Sequence, residues 1–352
     1  MIIKAFITHK MSENFADCQD RFGVNADTKS VAVSDGMGST WQPKIWARLL
    51  VDEFIGNEKW LPDINSIKPL CRKWQEEVNA FIANLKETNA PEYLINMNEL
   101  NLVKGRSAGA TFVGIRFNEK KWSGSVLGDS CLIEWNGHDA KFHTSQNVEA
   151  FDYWPDYFDS NVLNEGKGAP KLIDGILADG DCLLLVSDPL SDFLLKNYNQ
   201  GHKWQYISQL LGISSHEEFE TLVAKWRKDG MHNDDTTLVI VENDGANDFS
   251  IVALDNLDIL IEKDRLEKEK KQEINIGEQV VSQKEQVKEK KEVSADSNYI
   301  STPDETDIVI NELRNELKEK EQSLEKRSLM GWWNIIQKAH RKVLEKYVIS
   351  KK

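Results

Sequence analysis

An α+β fold, with antiparallel sheets covered by helices, is what the order of patterned segments predicts. Strand-like runs open the chain and two helical stretches follow. Several strands then come in succession before helices return and one last strand closes the pattern. The regular β–α–β alternation that parallel sheets need for their crossovers does not occur. No internal repeat is visible.

The runs 2–8, 31–34, 110–117, 121–127, 131–135, 182–187 and 236–242 have the length and the β-branched and aromatic content of strands. Between them, 41–55 places Ile45, Trp46, Leu49, Leu50 and Phe54 at helical spacing. Residues 63–87 do the same with Leu70, Trp74, Val78, Phe81 and Leu85. Further helices are predicted over 190–198, 202–211 and 215–228.

The 352 residues allow two domains, or one large domain with an appendage. A hydrophobic content of 40% supports a substantial core and excludes a wholly disordered chain. Lys and Arg number 44 against 58 Asp and Glu, a net charge of −14. That balance argues against nucleic acid as a partner, because phosphate backbones are held by clustered cations; it leaves room for a site that takes cations. Cys18, Cys71, Cys131 and Cys182 are scattered, with no CxxC, and predict reduced thiols in a cytoplasmic protein. The N-terminus lacks the pattern of a secretory signal, and no run of 18 apolar residues predicts a transmembrane segment.

Composition divides the chain into a globular domain over 1–243, a charged linker over 244–304 and a helical tail over 305–352. The linker is rich in Lys, Glu and Gln, and cannot bury enough apolar surface to offset the entropy of ordering it. In the tail, Ile310, Leu313, Leu317 and Leu324, then Trp332, Ile336, Ala339, Val343 and Tyr347, form an apolar stripe at helical spacing. Lys338, Arg341, Lys342, Lys346, Lys351 and Lys352 surround a single acid, Glu345. The tail suits docking within the chain, self-association, an acidic protein partner or an anionic lipid surface.

Acidic residues recur where strands meet turns. The run at 31–34 leads to Asp35-Gly36, 126–128 to Asp129, 183–187 to Asp188, and Asp234 stands just before 236–242. Asp20 precedes a run containing Phe22 and Val24. Each alone reads as an ordinary turn residue. Together they are oxygen ligands on rigid supports, as a hard divalent cation requires, with a glycine where a backbone carbonyl must approach.

The series Cys18-Gln19-Asp20, SDGMGS (34–39), SAGATFVGI (107–115), LGDS (127–130), LLLVSD (183–188) and DDTTLVIV (234–241) resembles the metal-dependent protein phosphatase 2C family, in its bacterial branch. The resemblance covers about residues 5–242, in the family's order. It implies two packed antiparallel β-sheets flanked by helices, an α/β/β/α sandwich with the metals at one end. It implies Asp35 as the aspartate bridging two Mn²⁺ or Mg²⁺ ions, the Gly36 carbonyl as a ligand of one, and Asp188 and Asp234 as further carboxylates. Asp20 would contact the centre through water, and Asp129 would mark a third, weaker position. The implied reaction is hydrolysis of phosphoserine or phosphothreonine in a phosphoprotein substrate by in-line attack of a metal-bridging water, reversing the work of a partner Ser/Thr kinase.

Three departures qualify the resemblance. No arginine precedes Arg21, so His9 is the candidate for holding the substrate phosphate, with Lys10 second; His9 reads equally well as a polar residue at a strand end. Met37 stands where some members carry a histidine. Pro189 follows Asp188 where glycine is usual, which suggests the alternative of a catalytically weak pseudophosphatase, or a phosphoprotein-binding regulator acting through its tail. Segment 144–170 carries Phe151, Tyr153, Trp154, Tyr157 and Phe158 where the family has a flap; these rings either pack onto the domain or dock substrate.

Overall fold

Two sheets pack face to face, and each carries helices on its outer side. The computed structural model describes residues 1–146, 155–161, 163–164, 166–202 and 205–270. The predicted tail, and the predicted linker from residue 271 onward, lie outside the described residues, as do Phe151, Tyr153 and Trp154. The chain divides into two units, Met1–Ile261 and Glu262–Lys352. In the second, Arg265 forms ion pairs with Glu262 and Glu269.

The first sheet runs β13 (Ser250–Leu254), β1 (Ile2–Thr8), β12 (Thr236–Glu242), β11 (Cys182–Val186), β7 (Cys131–Trp135) and β8 (Ala140–His143). The second runs β10 (Lys171–Ile176), β6 (Lys121–Leu127), β5 (Phe112–Asn118), β3 (Ser30–Ser34) and β2 (Arg21–Asn25). A small ladder joins β4 (Gly109–Ala110) to β9 (Phe158–Asp159). Pairing is antiparallel throughout except between β1 and β13. This is the α+β sandwich that the sequence predicts.

The two-residue side-chain period explains the layers. In β11, Leu183 and Leu185 face the inter-sheet core with Val31, Val33, Val113, Ile115, Val239 and Val241. Leu184 and Val186 face the other way, under α4 (Asp188–Asn199), α5 (Gln205–Leu211) and α6 (His216–Lys228), where Leu190, Phe193, Phe219 and Trp226 cover them. A strand buried on both faces reads as an unbroken apolar run, and this one does. On the other side, Trp46, Leu50 and Phe54 of α1 (Pro43–Gly56) and Leu70, Trp74 and Val78 of α2 (Lys68–Glu87) pack over Ala32 and Phe112. All four cysteines are buried free thiols.

Several elements lie outside the predicted set, the two-residue strand β9 among them. The edge strands β8 and β10 are half exposed, and α3 (Glu92–Val103) has Tyr93, Met97, Leu100 and Val103 open to solvent. Another, β13, crosses the boundary drawn at 243. It adds to β1 in parallel, and a helix over 257–270 follows. Leu260 is buried with Ile7, Phe15 and Cys18, and Leu257 and Ile261 pack against them. Sheet and core therefore reach residue 261, and 244–261 belongs to the globular unit.

A charged clamp fixes this last segment. His216 Nδ1 lies 2.8 Å from Asp255 Oδ2, its Nε2 lies 3.3 Å from Glu220 Oε1, and its ring packs on Phe15. Burial works against the imidazolium, but the bonds to Asp255 and Glu220 outweigh it and push His216 up to about 9. The unfolded histidine titrates near ~6.5. Stabilisation by the charged ring is thus complete below that pH and is lost as pH rises through about 9. Urea unfolding at the two ends of this window should show the loss in the wild type and little of it in His216→Asn.

Candidate active site

The strand ends gather at one edge of the sandwich. Asp35 follows β3, Asp129 follows β6 and Gly128, Asp188 opens α4 directly after β11, Asp234 precedes β12, and Asp20 precedes β2. The structure places Asp35 and Asp188 within electrostatic reach of each other and each within reach of Asp20 and Asp129, and Asp234 joins through Asp188. Asp20 and Asp129 are buried, whereas Asp35, Asp188 and Asp234 are partly open to solvent.

Local bonds hold each carboxylate in place. Thr111 accepts from the Asp35 N–H at 3.3 Å through its hydroxyl, shares a hydrogen bond of 2.6 Å with Ser130, and takes the Ser34 hydroxyl on its carbonyl. One threonine therefore ties the Asp35 turn to the Asp129 turn. Asp20 Oδ2 accepts from the Thr237 hydroxyl at 2.8 Å. Asp235 accepts from the backbone N–H groups of Lys10 (3.0 Å) and Gln19 (2.6 Å), locking two loops to the start of β12. Gly36 sits against the Gln19 carbonyl and Pro43; a Cβ there would lie 3.0 Å from both, so a side chain would have to push the neighbouring backbone aside.

Pro189 fits without distortion. Ser187 stands at the N-cap position of α4 with its hydroxyl accepting from Thr237 N–H, Pro189 lies in the first turn, and the first helical bond from Ser191 N–H to the Ser187 carbonyl forms at 3.0 Å. The missing proline N–H would have lacked a partner there in any case. Asp188 also sits at the positive end of that helix, which favours a negative group.

The electrostatics are lopsided. Burial, then the charge of Asp235, raises Asp20 to about 7, against the pull of the Thr237 and Ser187 hydroxyls. Burial and the neighbouring Asp20, Asp188 and Asp129 hold Asp35 well above the usual carboxylate range; burial with Asp129, Asp20 and Asp234 does the same to Asp188. Asp129 is raised to about 6, again first by burial. None of Asp20, Asp35, Asp129 and Asp188 forms an ion pair with a Lys, Arg or His among the described residues.

Among the described residues, no three His, Cys, Asp or Glu side chains form a ready-made metal cage. The donor set nonetheless suits a hard cation. Asp20 Oδ1 and Asp129 Oδ1 are buried acceptors with no hydrogen-bond partner, and the Asp20 and Asp35 carboxyls face each other as two acceptors unless one carries a proton. Buried oxygens without donors cost about 1–3 kcal/mol each, a cost that a bound cation offsets.

At the mouth, His9 and Lys10 differ in placement. The His9 ring packs edge-on against Phe15, 4.7 Å between centroids, with Nδ1 2.8 Å from the Lys10 carbonyl. Lys10 Nζ stands 3.8 Å from Asp234 and 3.3 Å from Glu13. Of the flap aromatics described, Phe158 is buried with Trp46, whose indole N–H donates to the Phe158 carbonyl at 2.8 Å, and Tyr157 bridges to Lys167. Both pack onto the domain.

Solved structures to which this chain is similar include bacterial serine/threonine phosphatases. Stp1 from Staphylococcus aureus is 16% identical with a TM-score of 0.45, over 69% of this chain and 95% of that one. The serine/threonine phosphatase of S. agalactiae is 15% identical with a TM-score of 0.42, over 68% and 98%. The catalytic domain of the phosphatase PstP, described in complex with two manganese ions, is 16% identical with a TM-score of 0.40, over 68% and 96%. No protein-family model and no curated protein sequence matches the chain.

Proposed function

We propose that the chain is a Mn²⁺- or Mg²⁺-dependent serine/threonine phosphoprotein phosphatase. The observation that carries this reading is the convergence of Asp20, Asp35, Asp129 and Asp188, with unpartnered buried oxygens and no basic partner among the described residues. Repelling acids of this kind are costly unless a cation completes them.

Asp35, Asp188, Asp234 and the Gly36 carbonyl would hold two divalent ions, with Asp20 contributing through water and Asp129 serving a third position. When bound, such ions supply positive charge to the phosphate oxygens and acidify the attacking water. The chain's own residues do the rest. The Thr237 hydroxyl orients Asp20, and Thr111 fixes the separation of the Asp35 and Asp129 turns. Lys10 is the better placed of the two candidates for holding the substrate phosphate, because its ammonium already stands beside Asp234 while the His9 ring is committed to Phe15.

The purified chain should hydrolyse p-nitrophenyl phosphate and a phosphothreonine peptide with Mn²⁺ or Mg²⁺, stop on addition of chelator, and recover when metal is restored. Tight metal binding by calorimetry without turnover would instead favour the phosphoprotein-binding alternative. Absence of metal binding would refute the site.

A further inference from the structure

Behind the exposed edge of the site lies a cation that the sequence patterns do not single out. Arg227, in the last turn of α6, turns its guanidinium toward the ends of two strands. Its Nη1 donates to the His9 carbonyl at 3.0 Å; its Nη2 donates to the Asp234 carbonyl at 2.5 Å and to the Thr236 hydroxyl at 3.1 Å. These acceptors belong to segments more than two hundred residues apart, the end of β1 and the approach to β12. Those same segments carry Lys10 and Asp234, whose charged ends stand 3.8 Å apart.

We propose that Arg227 is a positioning residue, which sets the separation of Lys10 and Asp234 by bridging the two backbones that carry them. The proposal rests on the phosphatase reading of the site. Arg227 contacts backbone carbonyls and one hydroxyl, so it acts through its neighbours. A planar guanidinium can fork to three acceptors in fixed directions, which a flexible ammonium cannot reproduce. Its charge also lies near both Asp234 and Asp235, and so offsets their repulsion. The corner is completed by the Lys10 and Gln19 N–H groups, which both donate to Asp235, and Gln19 is the residue next to Asp20. A shift at Arg227 therefore reaches Asp234 and Lys10 together.

The test compares wild type, Arg227→Lys and Arg227→Met in full-length protein. Arg227→Met is expected to weaken Mn²⁺ binding in calorimetry about tenfold and to raise KM for p-nitrophenyl phosphate by about as much, the usual scale for groups that orient metal ligands. Arg227→Lys should recover part of both. A purely structural arginine would lower the unfolding midpoint but leave the Kd and KM of the folded fraction at wild-type values, and that result overturns the proposal. If Arg227→Met does not fold, Arg227→Lys decides: shifted Kd and KM support the role, unchanged values refute it. If the wild type binds Mn²⁺ without hydrolysis, the functional reading fails while the calorimetric comparison still decides the role of Arg227.

Discussion

Asp35→Asn is expected to lower turnover on a small phosphate ester by about three orders of magnitude, the scale lost when a group central to charge stabilisation is removed. The protein should remain folded. Asp35 is only partly buried and has the charges of Asp20, Asp188 and Asp129 around it, so its ionised form is a liability to the metal-free fold. Asparagine keeps the shape, removes one of four crowded acids, and offers an N–H toward the Asp20 carboxyl. The metal-free variant should therefore melt at or above the wild-type midpoint while its Mn²⁺ affinity falls. Near-wild-type turnover would show that Asp35 does not bridge the ions. A collapsed fold would show that the carboxylate is structural.

What the sequence reveals depends on how many faces of an element are buried. Strands such as β11 and β12, packed on both sides, announce themselves as continuous apolar runs, and their ends locate Asp188 and Asp234. Asp35 and Asp129 are legible for the same reason, because β3 and the last residues of β6 are fully buried. Edge elements carry a weaker signal. In β10 only Ile173 is fully buried, and α3 has apolar residues on all sides, so neither shows a clean period. Arg227 escapes for a different reason: its acceptors are backbone carbonyls brought together only by the fold, and no residue pattern encodes a carbonyl's direction. The Thr111 link between two turns is hidden in the same way.

The composition boundary at 243 fails on physical grounds, because β13 and the residues up to 261 pack on the domain. A chain ending at residue 243 is expected to lose about 5 kcal/mol, enough to unfold a domain of ordinary stability. It would lack β13, leaving one edge of β1 unpaired. Asp255 would be gone, and with it the acceptor for the Ile7 N–H at 2.9 Å and the partner of His216. Leu257, Leu260 and Ile261 would no longer cover Phe15 and Cys18, which lead directly into Asp20. The loss therefore reaches the site: the loop bearing Lys10 and Asp20 rests on this segment from behind. A chain ending at residue 270 keeps every one of these contacts and should match the full-length protein in melting midpoint, Mn²⁺ affinity and hydrolysis of a small ester. Thermal melts and calorimetry on both truncations provide the measurement. If the shorter chain melted and bound Mn²⁺ like the longer one, residues 244–261 would be dispensable, and the sheet would end at β1 after all.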